Sequence, residues 1–235
     1  MKNTVLRNLL IAAVVFAGFG AFIAGAAFWN HEDLLLLGSL VALTVCSESA
    51  DFAFPNSRIS VTMALILAAG IFSGLPGVAV VAPVAAIADF CFHPKAIYKS
   101  AFNAGCLVLA GASLVGVLEV FSSTYSSGDW TAQIGPVVVG SVIAFAVNSG
   151  LVSLVISLDR GLKPFEVWRE CFRWMLTHYV LLGLLGLSLA AAYDRWDMGG
   201  LALLLAPLAI AWLFMKQHAD RVAGTRSVSV QPGKP

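Results

Sequence analysis

Charged residues are scarce in this sequence, and the motifs that carry much enzymatic chemistry are missing. Lys, Arg, Asp and Glu make up 11% of the 235 residues, against roughly 25% in soluble domains. The four cysteines form no CxxC pair and no zinc-type spacing. Neither a GxSxG turn nor a glycine-rich phosphate loop occurs. We therefore predict a protein that is not an enzyme, with no catalytic residue, no metal and no cofactor.

Apolar residues, in contrast, are abundant. They make up 59% of the chain and form runs near the roughly 20 residues that a membrane-spanning helix needs. We predict an all-α integral membrane protein, with one transmembrane domain over residues 1–216 and a disordered tail over residues 217–235. The first run, Leu9 to Phe28, exceeds the about 7–15 apolar residues of a signal peptide. We therefore expect an uncleaved first helix.

The apolar stretches predict a polytopic bundle of about eight transmembrane helices. They cover residues 6–28, 34–54, 59–72, 77–92, 96–121, 134–158, 171–193 and 199–215. The third and fourth have about 14–16 residues each, fewer than the usual 17–25. They are interpreted as thin or kinked spans, or as a re-entrant hairpin that turns at Ser73–Gly77 and leaves six spans. The linker 159–170 is interpreted as an amphipathic interfacial helix or as a plain loop.

The basic residues are distributed unequally between the two sides of the predicted bundle. With eight alternating spans, thirteen of the fourteen Lys and Arg residues share one side with both termini, and only Arg195 lies opposite. Basic residues in short loops stay in the cytoplasm during insertion. This pattern predicts cytoplasmic termini. Because the basic residues form no patch interleaved with aromatics, we expect membrane lipids as partners and no nucleic acid.

Three polar side chains fall inside predicted spans. They are Asn103, Asn148 and His178. Polar groups in hydrocarbon are costly, so each is a candidate for ligand binding. The alternative is a hydrogen bond between helices that only holds the bundle together.

Three carboxylates fall near the predicted cytoplasmic ends of the helices. Glu48 and Asp51 are three residues apart, which would place them on one face of the second helix, and Asp89 ends the fourth segment. Such a cluster could bind a cation or relay protons. Pairing with nearby basic residues, such as Arg58 and Lys95, is the alternative.

Small residues recur at intervals of four along the first helix. They are Ala13, Ala17, Ala21 and Gly25. Small side chains at this spacing allow two helices to approach closely. The stripe predicts docking against another helix of this chain or against a partner protein.

Several short stretches, taken in order, resemble a known type of membrane region. They are Arg58–Ala64, Gly74–Pro76, Tyr98–Asn103, Asn148 with Ile156–Leu158, and Leu204–Leu208. Their order is similar to the multi-helix sensor-type (MASE-like) region that precedes HD-GYP, GGDEF or histidine kinase domains in many bacterial proteins. The resemblance implies a cue-sensing module in the bacterial inner membrane, with Phe102, Asn103 and Asn148 as core positions. No output-domain motif follows the last helix, so a separate signalling partner is expected.

A second resemblance competes with the first. The size, the hydrophobicity and the stripe at Ala13, Ala17 and Ala21 are similar to the substrate-binding subunits of energy-coupling-factor vitamin transporters. Those subunits dock such a stripe on a membrane scaffold, but they usually have six spans. The sequence therefore favours a sensor-like or scaffolding membrane module that acts through a partner. The alternatives are a small-molecule uptake subunit and a purely structural assembly factor.

Overall fold

The chain is predominantly helical in the part that the structure describes. The computed structural model describes residues 2–28, 34–49, 52–54, 57–59, 62–122 and 130–228. Within these ranges the helices are α1 (Lys2–Ala27), α2 (Leu34–Ser49), α3 (Thr62–Phe92), α4 (Ile97–Ser122), α5 (Ile134–Arg160), α6 (Pro164–Cys171) and α7 (Leu176–Val228). Two short strands, β1 (Phe52–Phe54) and β2 (Ser57–Ile59), pair antiparallel between α2 and α3. The chain divides into two compact units, Met1–Ala190 and Ala191–Pro235.

Several helices are long and apolar enough to cross a membrane. Five such segments occur among the described residues: Thr4–Ala27, Thr62–Phe92, Ile97–Phe121, Ile134–Arg160 and Arg173–Gly200. Large apolar side chains also cover the outside of the bundle, including Leu9, Phe16 and Leu181, which are 62%, 75% and 59% exposed. Many large exposed apolar side chains are costly in water but suit contact with lipid. The architecture is therefore compatible with a helical membrane bundle.

The backbone of α3 reverses direction at Gly74. This residue has φ 62° and ψ −147°, a combination open essentially to glycine alone. A Cβ on Gly77 would lie 2.4 Å from the carbonyl oxygen of Ala69. Residues eight apart in a straight helix are about 12 Å apart, so the chain must turn back on itself between these two residues. The reversal lies inside the turn predicted at Ser73–Gly77. The first leg, 62–73, is about 18 Å long, shorter than the roughly 30 Å hydrocarbon layer.

The hairpin of α3 lies at the centre of the first unit. Every residue from Thr62 to Gly70 is buried, as are most residues from Gly77 to Ala88. Close backbone approaches fix neighbouring helices against it: a Cβ on Gly186 of α7 would lie 3.0 Å from the amide nitrogen of Ala68. A largely buried hairpin satisfies its backbone groups inside its two helical legs and packs most of its apolar side chains against neighbouring helices.

The same kind of reversal divides α7. Trp196 and Asp197 leave the helical conformation, and Asp197 has φ 50° and ψ −138°. A Cβ on Gly200 would lie 2.0 Å from the carbonyl oxygen of Ala192, again eight residues earlier. This turn belongs to the second unit and falls between the predicted seventh and eighth apolar stretches. The helix is described through Val228, past the boundary at 216 predicted for the membrane domain.

The α1 helix packs against α4 and α3 through glycines. A Cβ on Gly18 would lie 2.6 Å from the Cα atom of Gly105, and one on Gly25 would lie 2.7 Å from the carbonyl oxygen of Leu75. The N-terminal end of α1 is also tied to the C-terminal end of α5, because Arg7 Nη1 lies 2.5 Å from an oxygen of Asp159. These two residues come from segments predicted to lie on the same side of the membrane.

One helix boundary differs from the sequence interpretation, and one alternative that the sequence left open is decided. The second helix was expected to continue to Phe54, which is wrong, because α2 ends at Ser49 and Phe52–Phe54 forms a strand. The linker after α5 contains the short helix α6, so the helical alternative holds. Gly161 ends α5 in the left-handed conformation, and Pro164 begins α6 at a position where its missing N–H costs nothing.

Candidate functional site

Polar side chains from five helices converge on one cavity in the first unit. This central cavity has a volume of about 790 Å³, within the roughly 300–1,000 Å³ range of small-molecule sites. Its polar lining residues are Glu48, Thr62, Asp89, His93, Lys95, Asn103, Asn148, His178 and Tyr179. The cavity lies towards one end of the bundle, where α2 ends, α3 both begins and ends, and α4 and α7 begin.

Asp89 is the centre of the charged side of the cavity. It forms an ion pair with Lys95, and its other carboxylate oxygen lies 3.5 Å from His93 Nδ1. The side-chain amide of Asn103 also donates a hydrogen bond to Asp89 at 3.4 Å. The turn from His93 to Lys95 follows α3 directly, so the helix end itself brings these groups to the carboxylate. Because its side chain is only 17% exposed, Asp89 relies on these partners to compensate for lost hydration.

The deeper side of the cavity is held by a contact between α5 and α7. Asn148 Nδ2 donates a hydrogen bond to the Tyr179 hydroxyl at 2.6 Å. The ring of Phe145, one turn earlier on α5, meets Tyr179 edge to face with centroids 5.1 Å apart. Trp168 of α6 in turn donates to Ser149 Oγ at 3.0 Å. Polar and aromatic contacts therefore fix this wall from three helices.

Two polar atoms in this wall have no hydrogen-bond partner among the described residues. They are Asn148 Oδ1 and His178 Nε2, and both atoms are buried. A buried polar atom without a partner costs about 1–3 kcal/mol, so such atoms are uncommon in native structures. An amide oxygen accepts hydrogen bonds, and an imidazole nitrogen donates or accepts according to its tautomer. Together they could recognise a polar ligand that carries N–H or O–H groups.

The structure brings together five of the six residues that the sequence singled out as ligand-binding candidates. Asn103, Asn148, His178, Glu48 and Asp89 all line the central cavity. Glu48 is buried in the last turn of α2. Asp51, the sixth candidate, lies outside the described residues. Whether these side chains bind a ligand stays a prediction, but their convergence in one place is a structural finding.

Four polar residues of the cavity were not chosen as site candidates from the sequence: Thr62, His93, Lys95 and Tyr179. Tyr179 follows His178 directly, and the need of a mid-helix Asn148 for a partner could have indicated it. His93 lies four residues after Asp89 on the same helical face. Lys95 was considered only as a rim counter-charge, although it lines the cavity as well.

The predicted stripe on α1 is divided between inside and outside. Gly25 is buried against α3 and Ala21 is partly buried, whereas Ala13 and Ala17 are exposed. The closest contact with α4 is made one residue further along, by Val14 and Gly18. Ala13 and Ala17 are thus not used for packing within the first unit.

Within the described ranges, no three His, Cys, Asp or Glu side chains are placed to hold a metal ion. No protein-family model matches this chain, and neither a curated protein nor a solved structure matches it. The cavity itself therefore carries the functional argument.

Proposed function

We propose that this chain is a polytopic protein of the bacterial inner membrane that binds a small polar molecule in the central cavity and acts through a separate partner. The observation that carries this proposal is the cavity of about 790 Å³, which gathers polar groups from five helices in an otherwise apolar bundle. Polar groups inside a membrane protein are expensive and usually mark a functional site. The protein is a sensor-like module under this proposal, not an enzyme.

The proposed topology has both termini in the cytoplasm, with eight spans or with six spans and a re-entrant hairpin formed by α3. It is supported by the distribution of basic residues. In this topology the end of the bundle that holds Asp89 and Lys95 faces the cytoplasm. The ligand would then enter from the cell interior, which favours sensing of an internal molecule over capture of an external one.

Signalling would use the contact between α5 and α7. A ligand that bonds to Asn148 Oδ1 and His178 Nε2 would add contacts between these two helices. A ligand shifts a conformational equilibrium only by its difference in affinity for the two states. The arrangement with α5 and α7 joined would be stabilised, and α6, bonded to α5 through Trp168, would present that change at the proposed cytoplasmic surface.

A second candidate function is a substrate-binding subunit of an uptake transporter. Its support is the exposure of Ala13 and Ala17 on α1. Exposed small residues at this spacing suit close docking of another helix. Under this alternative the partner would be a transporter scaffold with its ATPases, instead of a kinase or a cyclic-dinucleotide enzyme.

Native mass spectrometry of the full chain, purified in mild detergent, tests ligand binding. We expect a retained small molecule in the wild type and its loss in Asn148→Leu and His178→Leu. Thr177→Leu is the matched control, because Thr177 precedes His178 but is exposed outside the cavity. Retention in both cavity variants, with the proteins folded, would exclude the central cavity as the site. Co-purifying proteins, identified from the same preparation, separate the two candidate functions.

Cysteine labelling tests the topology. Cys91 and Cys171 are exposed at helix ends on the proposed cytoplasmic side, and Cys106 is buried. In single-cysteine variants, a membrane-impermeant maleimide should label Cys91 and Cys171 only after the cells are opened. A cysteine placed at exposed Thr131, before α5, should react in intact cells. Labelling of Cys91 or Cys171 in intact cells would contradict the proposed orientation.

A further inference from the structure

A second cavity lies between α1, α4 and α5 and is rich in basic side chains. Asn148, His178 and Tyr179, which line the central cavity, do not line this one. It has a volume of about 370 Å³. Four cationic residues line it, Arg7, Lys95, Lys99 and Arg160, together with one carboxylate, Asp159. This is a local excess of positive charge in a chain whose formal net charge is only +1. The cavity therefore favours an anionic occupant.

The four cations are not equally engaged. Arg7 is held by Asp159 and by the side-chain oxygen of Asn8, and Lys95 is paired with Asp89. Lys99 and Arg160 are exposed and form no ion pair within the part of the chain that the structure describes. Arg7 is thus oriented by its neighbours, and Lys99 and Arg160 remain for a ligand.

The start of one helix, α4, adds to this preference. The α4 helix begins at Ile97 and has no acidic residue in its first turn. The unpaired N–H groups of a helix start carry partial positive charge and favour anions. The C-terminal end of α5 has the opposite polarity, but Arg160 lies in its last turn and offsets it. The start of α4 therefore adds to the positive character of the side chains, whereas the end of α5 does not.

Most of the remaining lining is apolar and continues away from the basic end. Phe102, Val152 and Ile156 line the basic cavity. An adjoining cavity of about 580 Å³ shares Arg7, Ile11 and Tyr98 with it. The adjoining cavity follows α1 and α4 past Ala12, Val15, Phe16 and Ala101. From Arg7 to Phe16 this apolar path covers about 14 Å of helix.

We propose that this basic groove, the two adjoining cavities together, binds one anionic phospholipid. Its phosphate lies against Lys99 and Arg160, and one acyl chain follows the apolar path between α1 and α4. A soluble phosphate ester would use the basic end but would leave the apolar path unfilled. Basic pockets between transmembrane helices at the cytoplasmic side suit anionic lipid headgroups. The proposed lipid site is distinct from the proposed ligand site in the central cavity, although Lys95 and Asn103 line both cavities.

Lipid retention by the full chain provides the test. The protein is reconstituted with equal amounts of phosphatidylglycerol and phosphatidylcholine, extracted into mild detergent, and analysed by native mass spectrometry. We expect one phosphatidylglycerol per chain to be retained preferentially. The double variant Lys99→Gln/Arg160→Gln should weaken this binding by about 25-fold, since each basic residue near the surface contributes roughly a factor of five.

The matched control is the double variant Arg169→Gln/Arg173→Gln. Both residues are exposed near the same end of the bundle but outside the basic groove, so the change in charge is equal. An equal loss of lipid in this control would mean that general surface charge, and not the groove, attracts the lipid, and would overturn the proposal. Equal retention of the two lipids by the wild type would do so too.

Two further arms separate a lipid from a soluble phosphate. Ala101→Phe places a ring in the apolar path without changing a charge, because Ala101 lines that path and is exposed. It should displace phosphatidylglycerol while leaving the thermal stability of the lipid-free protein within a few degrees. Millimolar glycerol 3-phosphate should not compete. Unchanged lipid binding in Ala101→Phe, or displacement of the lipid by glycerol 3-phosphate, would show a phosphate site and not a lipid site.

Discussion

Asn148 of α5 donates a 2.6 Å hydrogen bond to the hydroxyl of Tyr179 on α7. The bond uses the amide nitrogen and leaves the amide oxygen buried without a partner among the described residues. Tyr179 is itself buried, with 6% of its surface exposed. One side chain of the central cavity thus joins two helices and also leaves a buried acceptor without a partner, so packing and the proposed ligand binding involve the same residue.

Removing the hydroxyl of Tyr179 tests the packing role. Tyr179→Phe should lower the free energy of unfolding, and a double-mutant cycle with Asn148→Leu should give a coupling of about 0.6–1.7 kcal/mol, the range for hydrogen bonds between membrane helices. The measurement is SDS-titrated unfolding in mild detergent. Strictly additive effects would show that the bond contributes nothing to the packing of α5 against α7.

Gly18 should tolerate no side chain, whereas Gly20 should. A Cβ at Gly18 would lie 2.6 Å from the backbone of Gly105, and one at Gly20 would meet nothing within 4 Å. Gly18→Ala should therefore destabilise the protein by about 1–3 kcal/mol, the cost of overpacking. Gly20→Ala is the matched control on the same helix and should be neutral or slightly stabilising, because Ala favours the helix. Equal effects on thermal unfolding would argue against this approach of α1 to α4.

The polar positions of the cavity could be identified from the sequence because their physical cost is visible there. Asn103, Asn148 and His178 interrupt apolar runs, and the hydrocarbon environment makes such interruptions costly. Their partners were harder to find. Tyr179 is an ordinary aromatic residue in an apolar segment, and only the rotation of α7 against α5 gives its hydroxyl a role. The number of residues between Asn148 and Tyr179 does not reveal that rotation.

The first helix shows the same limit on interpretation. The spacing of Ala13 and Ala17 has the right period for close packing, but the contact uses Val14 and Gly18. One residue along a helix is a rotation of about 100°. Because several small residues occur close together, the sequence does not determine this rotation.

The end of α2 was missed for another reason. The apolar letters of Phe52–Phe54 suit a strand as well as a helix, and only the pairing with Ser57–Ile59 decides between them.

The two reversals in the backbone should respond to substitution in opposite directions. Gly74 and Asp197 share nearly the same conformation, φ 62°, ψ −147° and φ 50°, ψ −138°, which costs a residue with a side chain about 1–3 kcal/mol. Gly74→Ala should therefore destabilise the protein, and Asp197→Gly should stabilise it. Gly161→Ala, at the ordinary left-handed φ of 68° and ψ of 25°, should cost less than Gly74→Ala. Thermal unfolding of the three variants checks this order, and a stabilising Gly74→Ala would contradict it.

Lys95 should matter more for stability than a lysine in an exposed ion pair. Its partner Asp89 is largely shielded, with 17% of the side chain exposed, whereas Lys163 and Glu166 are 82% and 47% exposed. Lys95→Gln leaves a shielded carboxylate without its cation and should cost about 1–3 kcal/mol. Lys163→Gln should change the free energy of unfolding by less than about 1 kcal/mol.

Neutralising both members of the shielded pair provides the sharper comparison. In Asp89→Asn/Lys95→Gln no charge is left unpaired, so most of the stability lost in Lys95→Gln should return, because the main cost is the orphaned carboxylate and not the absence of the bond. SDS-titrated unfolding of the two single variants and the double variant measures this recovery. If the double variant is as unstable as the sum of the single variants, Asp89 and Lys95 act independently, and the charged side of the cavity is not organised around their ion pair.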